Sequence, residues 1–182
     1  MLRTNVVISA LLALLLSGAA GIGVHPAAAE GQSGSLADVA HHMNCKYCGM
    51  DRAKFAQSRM LIEYDDGSAV ATCSIHCAAV DLANNIDKTP KAIMVGDCGT
   101  KELIDAEKAF WVLGGSKPGV MTKNAKWAFA TKEQAEAFAK ENGGTLATFD
   151  QAIKAAYDDM YQDTRMIREK RKKMKMQKEM KH

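Results

Sequence analysis

The chain lacks the short motifs on which nucleotide and acyl chemistry rest. It has no nucleophile-elbow Gly-x-Ser-x-Gly, no P-loop and no dinucleotide-binding glycine fingerprint, so serine hydrolysis and phosphate cradling find no support. Its glycine pairs, Gly114-Gly115 and Gly143-Gly144, read as turns. It lacks a strong charge of one sign: a net +3 over 182 residues says little about partners, and nothing in it calls for nucleic acid. It also lacks an apolar run of membrane-spanning length. The run Val6 to Leu16 is short and is soon interrupted by Ser17, Gly18 and Gly21.

That run follows Arg3 and leads to Ala27-Ala28-Ala29 ahead of Glu30, the pattern of a secretory signal peptide over residues 1–29, cut near Ala29. No cysteine lies near the cut, so a lipid anchor is not expected, and the expected location is periplasmic or secreted. In such an oxidising compartment thiols form disulfides unless a metal or reductant protects them. Charge is unevenly spread: residues 165–182 hold nine Lys or Arg against two Glu, while the mature body keeps fourteen basic and nineteen acidic residues. An acidic body thus carries a basic tail, which reads as a solvated or disordered segment, with a docking helix at a membrane surface or partner as the functional alternative. Met174, Met176, Met180 and His182 give that tail weak copper donors.

What the chain does have is sulfur, in five cysteines and eleven methionines. Cys45-Lys46-Tyr47-Cys48-Gly49-Met50 puts two thiols and a thioether within six residues. Cys73-Ser74-Ile75-His76-Cys77 adds two thiols and an imidazole. Soft donors gathered this way suit Cu(I), or zinc where thiolates act without the methionine. Residues four apart share a helix face, so Cys73 and Cys77 can point back at Cys45 and Cys48 to form a four-thiolate set. Disulfides are the third option. His76 is a further candidate ligand, as are His41 and His42 from the lead-in, while Cys98 is the odd thiol. A core position for Met50 competes with a ligand role.

The order of elements suggests an α+β fold of two pseudo-duplicated ββαβ units followed by a C-terminal helix. Residues 30–42 read as a flexible lead-in. In the first unit, residues 43–100, Met60–Tyr64 and Ala69–Cys73 flank the Asp-Gly turn of a hairpin. A helix follows from Ile75 to about Asn84 with Ser74 as N-cap, and Ala92–Val95 reads as a strand. The second unit, residues 101–155, places strands at Ala109–Leu113, Trp127–Ala130 and Thr145–Phe149. Between the last two lies a helix with a Thr131/Gln134 capping box, and Asp150 reads as the cap of a further helix. Residues 156–182 form the basic, Met-rich helix or tail.

Cys45-x-x-Cys48-Gly49-Met50 ahead of a hairpin, with Phe110-Trp111-Val112-x-Gly114-Gly115 leading to Gly119-Val120-Met121, resembles the NosL family, accessory proteins of nitrous oxide reductase maturation. The resemblance continues through Trp127–Ala130, Gly143-Gly144 and Phe149-Asp150, and spans roughly residues 43–155. It implies a non-enzymatic periplasmic Cu(I) chaperone of two ββαβ units, distantly like organomercurial lyase in fold. It carries the family's soft ligands onto Cys48, Met50 and Met121. The implied partner is a copper-receiving enzyme, such as nitrous oxide reductase, or a copper transporter. Many members carry a lipidated cysteine after the signal and lack thiols at the positions of Cys73 and Cys77, which leaves the client, and a second metal, open. Contact of the basic tail with a membrane surface and a homodimer stay open too. The competing readings are a module stapled by zinc or disulfides and a thiol-based oxidoreductase.

Overall fold

The computed structural model describes residues 36–180. The signal-peptide assignment, the start of the lead-in and His182 lie outside the described residues. Among the described residues, no helix is long and apolar enough to cross a membrane.

Two antiparallel sheets carry the fold. The first consists of β1 (Met60–Tyr64), β2 (Ala69–Thr72), β3 (Pro90–Gly96) and β4 (Leu103–Asp105) in the order β2-β1-β3-β4. The second consists of β5 (Phe110–Leu113), β6 (Lys126–Phe129) and β7 (Thr145–Ala147) in the order β6-β5-β7. The helices are α1 (Ala37–His41), α2 (Ile75–Asn84), α3 (Lys132–Asn142) and α4 (Phe149–Glu179). Each half therefore runs ββαβ, the first with β4 from residues 103–105 added at its sheet edge, and in each the first strand sits between the second and third. The expected duplication is present in topology as well as in element order.

Local sequence accounts for most of these elements. Tyr64 and Ser68 close the β1–β2 hairpin, with Gly67 at φ +80° inside the Asp-Gly turn. The Thr131/Gln134 capping box opens α3 as expected, and α3 ends at Gly143 and Gly144, both at positive φ. α4 departs from expectation at both ends. Its N-cap is Thr148, boxed with Gln151, while Asp150 sits in the first turn and Phe149 is helical, so β7 stops at Ala147. At its far end the basic segment does not leave the helix but continues it to Glu179, supported by Arg165–Glu169 and Lys175–Glu179 pairs four residues apart. Residues 37–41 of the lead-in are helical as well, and β4 is a strand that periodicity did not indicate.

One core joins the halves. Met60, Ile62, Tyr64 and Val95 from the first sheet pack with Trp111 and Ala128 from the second, and with Phe149, Ala152 and Ala156 of α4. The Trp111 indole N–H donates to the Ala106 carbonyl at 2.9 Å, which keeps this large side chain both buried and paired. A satellite cluster of Val112, Trp127, Phe129 and Ala135 lies under α3. A third buried cluster is made of cysteine.

Candidate metal centre

Cys45 and Cys48 ride on a tight loop closed by the Asn44–Asp51 bridge. The Cys45 N–H donates to the Met50 carbonyl at 2.8 Å, and the Gly49 N–H to the Cys45 carbonyl at 2.9 Å. Gly49 takes φ +73° with open space where a Cβ would stand, so its role there is conformational. The Lys46 N–H, bound to the Ala71 carbonyl at 3.1 Å, ties this loop to β2. Directly after β2 comes Cys73, then Ser74 as N-cap, then Cys77 in the first turn of α2. A helix N-terminus favours the anionic form of nearby thiols.

The four sulfurs converge: those of Cys45, Cys48, Cys73 and Cys77 all lie within 4.8 Å of one another. The Cys48 and Cys73 sulfurs are 3.4 Å apart and those of Cys73 and Cys77 3.9 Å apart, and all four cysteines are free thiols. A tetrahedral ion with metal–sulfur bonds of about 2.3 Å needs sulfur–sulfur edges of about 3.8 Å. Two of the edges bracket that value and the rest stay within 4.8 Å, so a small inward shift of the sulfurs would suit one ion. Cys45, Cys73 and Cys77 are buried, whereas Cys48 is half-buried and forms the open side.

The thiols share their protons unequally. Neighbouring S–H groups, Cys48 first and then Cys73 and Cys77, donate to Cys45 and hold it far below the usual thiol range. At Cys48 the neighbour Cys45 pushes upward, but donation from Cys73 and Cys77 brings it down to about 7. Cys73 and Cys77 are held well above the ordinary value, chiefly by Cys45 and Cys48. Within the cluster, Cys45 and Cys48 therefore lose their protons more readily than Cys73 and Cys77.

Two buried polar networks fix this geometry. The Arg52 guanidinium donates to the Thr72 carbonyl (3.1 Å), the Met60 carbonyl (3.2 Å), the His42 carbonyl (2.7 Å) and Asp38 Oδ2 (2.6 Å). Arg59 shares the same carboxylate, at 2.8 Å from Oδ1, and reaches the Ala56 and Lys101 carbonyls. On the other side, Tyr47 and Tyr64 both donate to Asp81, a fully buried carboxylate on α2. Burial and the Asp81 charge push the Tyr47 phenol up to about 12, so it stays a donor. The loop bearing Cys45 and Cys48 is thereby fastened to the helix bearing Cys77.

Met50 and Met121 both pack against the cysteine cluster, with Val120 and Phe55 beside them. Met121 takes φ +61°, a left-handed conformation that an ordinary side chain adopts at a cost. The strain is held in place from α4: Asp163 accepts the Lys123 N–H at 3.1 Å, and Asp159 accepts Asn124 and Lys126 at 2.9 and 2.8 Å. Met50 and Met121 also line a cleft of about 530 Å³ between this loop and α4.

His76 is buried and faces Asp163 at 3.7 Å across a gap that leaves its Nδ1 without a hydrogen bond. Burial holds its pKa below the ordinary imidazole value. It borders a small hollow with Cys48, Cys77 and Met121, but the set of mutually close donors holds four thiols and no histidine. His41 and His42 stay outside that set, and Cys98 lies apart with Lys117 at 3.7 Å. What sequence reading missed is that the expected C-terminal helix reaches the thiol site: Arg171 donates to the Cys48 carbonyl at 2.9 Å, and Arg168 borders the same hollow. The helical recurrence of Asp163, Ile167, Arg171 and Met174 was the available signal.

The model of the NosL family matches residues 37–157 of the chain. The fold is similar to the crystal structure of the copper chaperone NosL from Shewanella denitrificans, with a TM-score of 0.50 and 24% identity, covering 62% of this chain and 90% of that one. No match was found among curated proteins.

Proposed function

This chain belongs to the NosL family, and from that premise we propose that it binds Cu(I) as a cargo and hands it to a copper-receiving protein. The observation that carries the reading is the convergence of four cysteine sulfurs within 4.8 Å, with Met50 and Met121 packed against them. Thiolates and thioethers are the donors that soft Cu(I) prefers, and the chain offers both at one place. The copper-chaperone designation of the structural relative supports the same reading.

A carrier must hold its ion firmly and still release it. Cys45 is held far below the usual thiol range and Cys48 at about 7, so these two give up their protons to an incoming ion more readily than Cys73 and Cys77. Met50 and Met121 add neutral donors, which raise no charge on the complex and exchange readily with an incoming ligand. Cys48 is the half-buried member and the point where an acceptor's sulfur can attack. The site carries its ion by ligand exchange and needs no reaction of its own. The proposed setting is the periplasm, and the proposed recipient is a copper enzyme such as nitrous oxide reductase.

A second reading is favoured by the 3.4 and 3.9 Å sulfur spacings, which suit a four-thiolate Zn²⁺ held for structure. Substitution of Met50 and Met121 by Ile separates the two, because thioethers matter to Cu(I) and contribute little to zinc. The Cu(I) affinity of the reduced double variant, measured by competition with a chromogenic chelator, should fall at least tenfold with the fold intact. Unchanged affinity would remove the thioethers from the site.

A further inference from the structure

We propose that α4 provides a second, outer Cu(I) site, in which the thioethers of Met174 and Met166 work with those of Met50 and Met121 across the cleft. This extends the copper reading above to residues beyond the 37–157 family match. Four of the chain's eleven methionines line one cleft of about 530 Å³, two from the thiol side and two from α4. Met166, Lys170 and Met174 recur at four-residue intervals and so share one face of the helix. The Arg171 bond to the Cys48 carbonyl, 2.9 Å long, fixes that face against the thiol loop. Met174 remains 59% exposed, so core packing does not account for it.

Met166 and Met174 are eight residues apart, about 12 Å along a helix, so an ion between them also draws on Met50 or Met121 of the same cleft. Met174 follows Arg171, which binds the Cys48 carbonyl, by about one turn. Met166 follows Asp163, which binds the Lys123 amide next to the Met121 turn. Each α4 thioether thus shares the cleft with thioethers from the thiol side.

The donors define the ion. Thioethers are neutral and soft, and they hold Cu(I) by covalency where hydrated dications gain little. Lys117, Lys170 and Arg171 line the same cleft and add a repulsion that weighs twice as heavily on a dication. Transfer inward is ligand exchange without redox change: a Cys48 thiolate–copper bond forms as a thioether–copper bond breaks, and the ion stays Cu(I) throughout. The outer site is the weaker of the two, because it contributes no anionic donor.

Methyl-¹³C methionine NMR of the reduced, anaerobic protein tests this directly, with Cu(I) added from acetonitrile and resonances assigned by single Met→Leu variants. The first equivalent should move the Met50 and Met121 methyls, and the second should move Met166 and Met174 and shift Met50 and Met121 once more. In the M166L/M174L variant the second equivalent should bind at least tenfold more weakly, while the first binds as in the parent. Met166 and Met174 methyls that stay fixed through two equivalents would overturn the outer site, as would a second ion held equally by M166L/M174L. If the Met50 and Met121 methyls also stay fixed and no Cu(I) is retained, the copper reading falls with it.

Discussion

Asp38 is a single carboxylate set between two arginines that are themselves fully buried, and Asp38→Asn removes its charge while keeping its size. The side chains of Arg52 and Arg59 are 0% exposed and that of Asp38 is 7% exposed, so water cannot replace what is lost. Arg52 and Arg59 converge on Oδ1 and Oδ2 at 2.6 to 3.1 Å, and each of these contacts is charge-assisted. Breaking a buried ion pair by neutralising one partner costs about 3–5 kcal/mol, because the remaining charge stays buried. In a domain of this size each kcal/mol lowers the melting temperature by about 2–4 °C, so a drop of roughly 6–20 °C is expected. Calorimetry or circular dichroism of the metal-free protein measures it. The two arginines also hold Asp38's carboxyl below the usual carboxylate range against the effect of burial. A carboxyl depressed in the folded state stabilises above its unfolded pKa of about 3.9 and loses that contribution as pH falls below it. The parent should therefore lose stability below about pH 4 more steeply than Asp38→Asn does. A variant within about 1 kcal/mol of the parent at pH 7 would refute the claim that this carboxylate holds the two arginines in place.

Three further outcomes follow from the same geometry. Tyr47→Phe leaves Asp81 short of one buried donor and should cost about 1–3 kcal/mol in urea unfolding, with the Cys45–Cys48 loop exchanging its amide protons faster; identical midpoints would contradict the Tyr47–Asp81 link. Gly144→Ala puts a Cβ 2.7 Å from Val112 Cγ1 and 2.9 Å from the Leu113 carbonyl at φ +103°, so a loss of at least about 1–3 kcal/mol is expected by thermal melting, and a neutral result would mean that the α3–β7 turn yields. Alkylation of Cys48 in metal-free protein, followed by mass spectrometry, should rise with a midpoint near the value of about 7 rather than near that of an ordinary thiol, and a midpoint above 8.5 would contradict the thiol donation from Cys73 and Cys77.

The parts of the fold that were legible in the sequence are those encoded by neighbours in the chain. The Asp-Gly hairpin, the Ser74 start of α2 and the Thr131/Gln134 box all appear where local chemistry puts them. The four cysteines were legible as one set because two closely spaced pairs of soft donors suit one ion, although Cys73 precedes the Ser74 N-cap and does not share the expected helix face with Cys77. What stayed hidden depends on partners distant in sequence. Asp38, Arg52 and Arg59 look like solvated charges until the fold buries them together, which is also what orders α1. The block of like charge after Arg165 resembles a disordered tail, yet Asp159 and Asp163 anchor α4 to the Met121 loop and the helix continues past them. The left-handed φ of Met121 has no local signature, since glycine or asparagine is the usual occupant of that conformation.

The central claim is that the thiol cluster carries a removable Cu(I) in a fold that stands without it. The most direct measurement is to load the reduced protein with one Cu(I), withdraw the ion with a chelator of higher affinity, and follow metal content and near-ultraviolet circular dichroism together. One tightly held Cu(I), complete withdrawal, and an unchanged spectrum once the ion has left are expected, since the arginine and tyrosine networks hold the cluster's frame. A protein that is isolated with Zn²⁺, does not exchange it for Cu(I), and loses its folded spectrum on chelation would contradict it.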